Sequence, residues 1–403
     1  MNKTEIQKLF PRFPFSLPLI LDGATGTELI KAGMPAGICP EAWILSHPES
    51  IMAIQKKYAA AGSSAVLAPT FGANRVRLAR YTLAEKTVEM NRTLAGFCRD
   101  AVGRTGVLIG GDISPTGKLL APVGDADFEE IVSVYKEQAA ALHDLVDFFM
   151  VETNMDLATT RAAVIAVREI SDKPIFVTMT VESGGKTMSG DDPAACLLAL
   201  SDLGISAFGL NCSTGPREME ALLSPLVPLS LALEIPLIAK PNAGAPSEDG
   251  SHHHLTAEEF AEVSTDMLMC GICILGGCCG TNADTIAAIR KAVDAVSDIA
   301  DISPAENSQD LLCNARRITA IDKNDLPEAI TPEDEDDFPD EAADMAEEYG
   351  FALVHLRHER DALLVLDAVP FFSFPIAVTG NEKVISLFRR RYTGKTIILS
   401  ENA

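Results

Sequence analysis

"DFFMVET", Asp147–Thr153, sets four apolar residues side by side between two acids. A near-continuous apolar run of this kind suits a parallel strand buried on both faces. The acid that closes it, Glu152, then stands at the strand's C-terminal end. Seven more runs of similar build lie along the chain: "PLILDG", "AVLAPT", "VLIGGDI", "IFVTMT", "AFGLNC", "PLIAKPNAG" and "GICILGG". Each stops at a polar or glycine-rich cluster, and each is followed by a longer segment of helical period. In "HPESIMAIQKKYAAAGSS", for instance, Pro48 occupies a first helical position, Ile51, Ile54 and Tyr58 share one side, and Gly62 is the stop. Eight strand-helix units within roughly 300 residues predict a (β/α)8 barrel, whose working face is built at the C-terminal ends of the strands. A doubly wound open sheet also alternates strand and helix. "DGATGTEL", however, has the glycines of a phosphate-binding turn without a basic residue, and begins with a carboxylate.

The run ends are therefore the place to look for chemistry. They read Asp22, Thr70, Asp112, Glu152, Thr180, Cys212, Asn242, and Cys278 with Cys279. Cys212 closes "GLNC" and the cysteine pair closes "LGGCC", which puts three thiols on the sixth and eighth strands. Two strand spacings of ~4.8 Å separate those positions, a gap that inward-leaning side chains close around one ion. Adjacent residues on a regular strand point to opposite faces, so Cys278 and Cys279 share a metal only where the strand has ended. Gly276, Gly277 and Gly280 allow that departure. Three thiolates are one short of a closed structural zinc site, and catalytic zinc keeps an open fourth position. Sulfur ligands favour zinc over magnesium or calcium, and a substrate thiol entering the vacancy would lose its proton. Nucleophilic sulfur chemistry follows. The bland alternative for any single cysteine is a small buried apolar residue, and Cys39, Cys98, Cys196, Cys270, Cys273 and Cys313 are read that way.

The bulk properties narrow the partners. The chain has 403 residues, 47% hydrophobic and 22% charged, with a net charge of −24. This much negative charge opposes nucleic acid and anionic membrane surfaces. The N-terminal segment is broken by Pro11, Arg12, Pro14 and Pro18, so it does not read as an export signal. No apolar run approaches the ~18 residues of a membrane span. A cytoplasmic protein is expected, in which nine cysteines stay reduced. After about residue 300 the pattern changes. Thr331–Glu348 carries ten acids and no base, as a solvated linker or an exposed acidic helix would. "FALVHLRH" and "ALLVLDAV" then recover apolar character, and "PIAVTGNEKVISLFRRRYTGKTIILS" reads strand, helix, strand. The expected division is a barrel over 1–300 and, over 301–403, an acidic linker with a small α/β appendage. The histidines of "SHHHLT", His252–His254, sit in a polar loop and are read as solvated.

Seven segments taken together, "LDGATGTEL", "APTFGANRVRL", "GDISPTGKL", "VET", "GLNCSTGP", "KPNAGAP" and "LGGCCGT", resemble the homocysteine S-methyltransferase family. The likeness covers about residues 15–295 and is nearest to the homocysteine-binding modules of cobalamin-dependent methionine synthases. It implies a (β/α)8 barrel in which Cys212, Cys278 and Cys279 hold zinc and homocysteine supplies the fourth ligand. It further implies that Asp22 and Glu152 bind the amino group of homocysteine. Backbone N–H groups of the turn Gly23–Ala24–Thr25 would take its carboxylate, and Asn242 is counted with these substrate-binding residues. The tail faintly resembles one βαβ stretch of a pterin-binding (folate) barrel, too little to form a folate site. The corrinoid-binding pattern DxHxxG is absent from the sequence, so methylcobalamin is expected in trans, on a separate corrinoid protein. The implied activity is methylation of homocysteine to methionine. S-methylmethionine or betaine is the alternative donor, and a non-catalytic corrinoid-protein docking module is the alternative role.

Overall fold

The computed structural model describes residues 5–244, 255–301, 303–306 and 308–399; the three histidines of "SHHHLT" lie outside them. Eight short strands follow one another: β1 Leu19–Ile20, β2 Ala65–Leu67, β3 Leu108–Ile113, β4 Phe148–Asn154, β5 Ile175–Met179, β6 Ala207–Asn211, β7 Leu237–Lys240 and β8 Ile274–Leu275. All neighbours run parallel, and β1 pairs with β8 so that the sheet curls round. The seam between β1 and β2 is closed by single bonds: Ser64 N–H donates to the Ile20 carbonyl at 2.6 Å and Leu67 N–H to Asp22 Oδ2 at 2.8 Å. This is the expected (β/α)8 barrel, its strands hidden by helices on the outside and by one another within. The helix Pro48–Ala60 buries Ile51, Ile54 and Tyr58 as its period predicts. Among the described residues no helix is long and apolar enough to cross a membrane.

The two ends of the barrel differ. At the N-terminal end Phe13 stacks on Phe176 at 5.5 Å and Phe176 lies 4.5 Å from Phe148, which plugs the bottom with aromatic rings. The mouth is the opposite end. Midway along the barrel, β6 and β7 approach so closely that a Cβ on Gly209 would lie 1.9 Å from the Ile238 carbonyl oxygen. Only glycine fits at that point.

The tail contains more structure than one βαβ unit. β11 Ala352–Leu356 and β12 Ile376–Gly380 pair in parallel, with single parallel bridges at Ile330 and Ile398 on either side. β9 Leu311–Asn314, β10 Ile318–Ala320 and β13 Gly394–Lys395 form an antiparallel sheet in the order β10-β9-β13. The acidic stretch becomes the helix Phe338–Tyr349, anchored by buried Phe338, Ala342 and Ala346 with its acids outward.

Arg161, in the helix Leu157–Arg168, ties the tail to the barrel. It is only 2% exposed, and its guanidinium donates to the carbonyls of Ala199, Gly394 and Arg389. Burial lowers its pKa to about 10. Around it Arg389 pairs with Asp202, and Arg390 bridges Glu129 and Glu169. Arg161→Ala is expected to leave those carbonyls without donors, at about 1–3 kcal/mol for a buried unsatisfied group. Hydrogen exchange in Glu382–Arg391 should then quicken while the barrel strands stay protected. Unchanged exchange would assign the docking to the surface ion pairs instead.

Candidate metal centre and substrate pocket

Cys212 is the first residue past β6 and adopts a left-handed backbone, φ +61°, as does Ser213 beside it. Such angles cost a non-glycine residue of order 1–3 kcal/mol and persist only where the surroundings enforce them. Here the Cys212 N–H is held by the Lys240 carbonyl at 3.1 Å. Thr153, at the end of β4, is a third left-handed residue, φ +61°, beside a register shift in the β4–β5 pairing. Asn211 restrains it, accepting from Thr153 N–H at 3.0 Å and donating to Thr153 Oγ1 at 2.8 Å. The Asn211 amide also faces Cys278 Sγ at 3.9 Å. On the other side β8 has already ended at Leu275, and Gly280 at φ +83° completes the turn that lets both Cys278 and Cys279 face inward.

The three sulfurs lie within 4.8 Å of one another, and Cys212 and Cys279 Sγ are 3.8 Å apart. Tetrahedral Zn–S bonds of 2.3 Å require a sulfur separation of ~3.8 Å. The donor set and its spacing therefore fit zinc. The neighbouring thiols of Cys278 and Cys279 lower the pKa of Cys212, and the same coupling pushes those of Cys278 and Cys279 upward. Cys278 and Cys212 are half-buried and Cys279 is exposed, so the centre sits at the rim of the barrel mouth.

Below it lies a cavity of about 270 Å³ whose lining includes Asp22, the turn Gly23–Thr25, Asp112, Glu152, Lys240 and the three cysteines. Its outer wall is apolar, from Leu29, Ile44, Leu67, Pro69 and Phe71. The turn is tightly held. Tyr58 OH donates to the Ala24 carbonyl at 2.8 Å, Ala24 N–H donates to Thr281 Oγ1, and the Thr281 hydroxyl donates to the Cys278 carbonyl. One hydroxyl thus links the turn to the cysteine cluster. Burial raises the pKa of Asp22 to about 6 and lifts those of Asp112 and Glu152, with further repulsion from Glu152 acting on Asp112. Lys240, the last residue of β7, places Nζ 2.8 Å from Glu152 Oε2 with both side chains at least nine-tenths buried.

The structure thus brings together Cys212, Cys278, Cys279, Asp22, Gly23, Ala24, Thr25 and Glu152. Asn242 stands apart from the cavity lining; its amide acts on the Cys212 thiol, whose pKa it helps to lower. Sequence reasoning passed over Lys240, Asn211 and Thr281 and gave Asp112 no role. A signal for Lys240 was present: a lysine ending an otherwise apolar run must be buried with an acid if that run is a barrel strand.

A parallel barrel gathers three thiols, at a spacing that could hold a metal ion, over an acid-lined pocket at its mouth. The comparisons with known proteins name the family. The homocysteine S-methyltransferase family model matches residues 19–293, and the chain belongs to that family. It is 32% identical over 301 residues to the methionine synthase of Mycobacterium tuberculosis, covering 70% of this chain and 25% of that protein. It is 31% identical to the methionine synthase of Mycobacterium leprae, covering 70% and 24%. The chain thus spans about a quarter of the length of these curated relatives. Among solved structures, the metallated form of the homocysteine methyltransferase MmuM from Escherichia coli superposes with a TM-score of 0.58 at 22% identity, over 68% of this chain and 95% of that one. That likeness bears on the fold alone.

Proposed function

We propose that the chain methylates homocysteine to methionine at the three-cysteine centre, with residues 1–300 as the catalytic barrel and 301–403 as its appendage. The observation that carries the reading is the three sulfurs at zinc-ligand spacing directly above a buried, acid-lined cavity. Cys212, Cys278 and Cys279 would hold zinc, which supplies the charge that keeps a substrate thiol deprotonated as the nucleophile. The chain's own residues supply position. Asp22 and the neighbouring acids attract the substrate ammonium group into the cavity. The backbone N–H groups of the Gly23–Thr25 turn answer its carboxylate, apart from that of Ala24, which Thr281 already occupies. The apolar outer wall excludes water from the short carbon chain. Holding the substrate by both charged groups aims its sulfur at the mouth, so the attack on the methyl group is oriented. With the thiol already deprotonated, the reaction asks for no general base.

The donor is proposed to be methylcobalamin on a separate corrinoid protein. The rim position of the thiols favours it, because a nucleophile displayed at the mouth is reachable by a methyl group carried on another macromolecule. The test is methionine formation by the zinc-loaded chain with homocysteine and, in separate assays, methylcobalamin, S-methylmethionine and betaine. Turnover with methylcobalamin is expected. Turnover only with S-methylmethionine or betaine would replace the donor, and none with any donor would leave the docking-module role.

A further inference from the structure

An outer helix of a barrel packs one side on the strands and turns the other to water, and the helix Pro48–Ala60 obeys this, burying only Ile51, Ile54, Gln55 and Tyr58. Two helices break the rule. In Leu157–Arg168 every residue from Thr159 to Val167 is buried, and in Pro193–Ser201 every residue from Ala195 to Leu200. Buried runs longer than a 3.6-residue turn leave no side for water, so both helices are enclosed. The tail covers their outer sides. β9 and β13 pack on Pro193–Ser201, Cys313 of β9 is fully buried with its thiol donating to the Ala195 carbonyl at 3.4 Å, and Arg161 reaches Gly394 and Arg389. The family model stops at residue 293, so this cover comes from outside the family's own barrel.

The tail also reaches the barrel mouth. Ala315, just past β9, accepts from the Asp192 N–H at 2.8 Å, and Asp192 caps the helix Pro193–Ser201 through Oδ1. The segment from Thr180 to Asp192, between β5 and that helix, folds back on itself: Glu182 N–H donates to the Lys186 carbonyl and Thr187 N–H to that of Asp191. Thr180, at its other end, shares a hydrogen bond with the Ser213 hydroxyl. Ser213 and Cys212 are both left-handed, a backbone that persists only where neighbours enforce it. The Ala315 carbonyl is fixed in turn, because Asn314 Oδ1 accepts from the N–H groups of Arg316 at 2.9 Å and Arg317 at 2.8 Å. We infer that the tail is a brace for the cysteine cluster: β9 and β13 complete the outer layer over two barrel helices, and the Asn314–Arg317 turn steadies the Thr180–Asp192 segment that holds Ser213 beside Cys212. Asn314 is then a positioning residue that acts on Cys212 through Ala315, Asp192 and Thr180. The effect on zinc rests on the metal reading above; the effect on the segment rests on packing alone.

Hydrogen exchange of the full chain, with its zinc affinity read by competition with a chromophoric chelator, tests this in Asn314→Ala and Asn314→Asp. Asn314→Ala removes the acceptor that shapes the turn. Exchange across Thr180–Asp192 is expected to quicken by about 2- to 10-fold, the weight of one hydrogen bond, and zinc affinity to fall by a similar factor. Asn314→Asp keeps an oxygen for both N–H groups and should match the wild type. Wild-type exchange and zinc affinity in Asn314→Ala would overturn the inference, as would a quickened segment with unchanged zinc affinity, or equal losses in the two variants. Should Asn314→Ala fail to fold, a protease site placed between the exposed Ser303 and Pro304 decides. The cleaved chain should elute as one species and keep its zinc, whereas a tail that separates from a barrel still melting at the wild-type temperature would overturn the brace. A wild-type chain that binds no zinc would overturn the metal reading instead, and the exchange rates would still report on the brace.

Discussion

Cys278→Ser is expected to yield a folded chain that no longer retains zinc and whose methylation rate falls more than ~100-fold. Loss of a partner outside the ligand set typically costs metal affinity ~10–100-fold, and loss of a ligand costs more. The three sulfurs act as one set, since Cys212, Cys278 and Cys279 are mutually within 4.8 Å. Cys212→Ser and Cys279→Ser should therefore behave alike. Cys270 is a free, half-buried thiol outside that cluster, and Cys270→Ser should keep its full zinc. Elemental analysis of the four purified variants checks this. Zinc retained by all three cluster variants, or lost from Cys270→Ser as well, would place the metal elsewhere.

The largest stability effect is expected at Lys240, although this side chain makes none of the proposed metal contacts. Lys240→Met leaves Glu152 buried without its 2.8 Å partner, a loss of about 3–5 kcal/mol for a broken buried pair where the acid is ionised. The pH dependence has a definite sign. Burial already raises the Glu152 pKa in the folded state, and Lys240 opposes that rise; without Lys240 the folded pKa climbs further above the unfolded value. The folded variant then binds a proton that the unfolded chain does not, so stability falls as pH rises through this window. The penalty of the variant should be full near pH 8 and shrink toward pH 5, vanishing below the unfolded carboxylate range. Lys240→Met/Glu152→Gln should recover most of the loss, because the uncompensated charge is gone. Urea denaturation of wild type, single and double variants at both pH values decides it. A single-variant penalty under ~1 kcal/mol at pH 8 would mean that water reaches the pair.

The parts of the molecule that the sequence discloses are those governed by local pattern. "DFFMVET" and its fellows read as buried strands because a strand covered on both faces needs apolar residues at every position. The cysteine pair reads as a site because three glycines surround it and no packing need explains two thiols there. Other features depend on what the chain meets from far away. Arg161 lies in "TTRAAVIAVR", where an arginine suggests the solvent face of a helix; Gly394 and Arg389 cover it from more than two hundred residues on. The antiparallel sheet unites β9 with β13, about eighty residues apart, and no periodicity records such a partner. Lys240 and Asp112 were visible as letters at strand ends. Their meaning depends on which acid each one faces, and barrel closure alone settles that.

X-ray absorption at the zinc edge, recorded on the zinc-loaded chain before and after homocysteine is added, tests the central claim most directly. Three sulfurs at ~2.3 Å with one lighter ligand should become four sulfurs at that distance. A sulfur count that stays at three with saturating homocysteine, or a zinc held by nitrogen and oxygen alone, would contradict it.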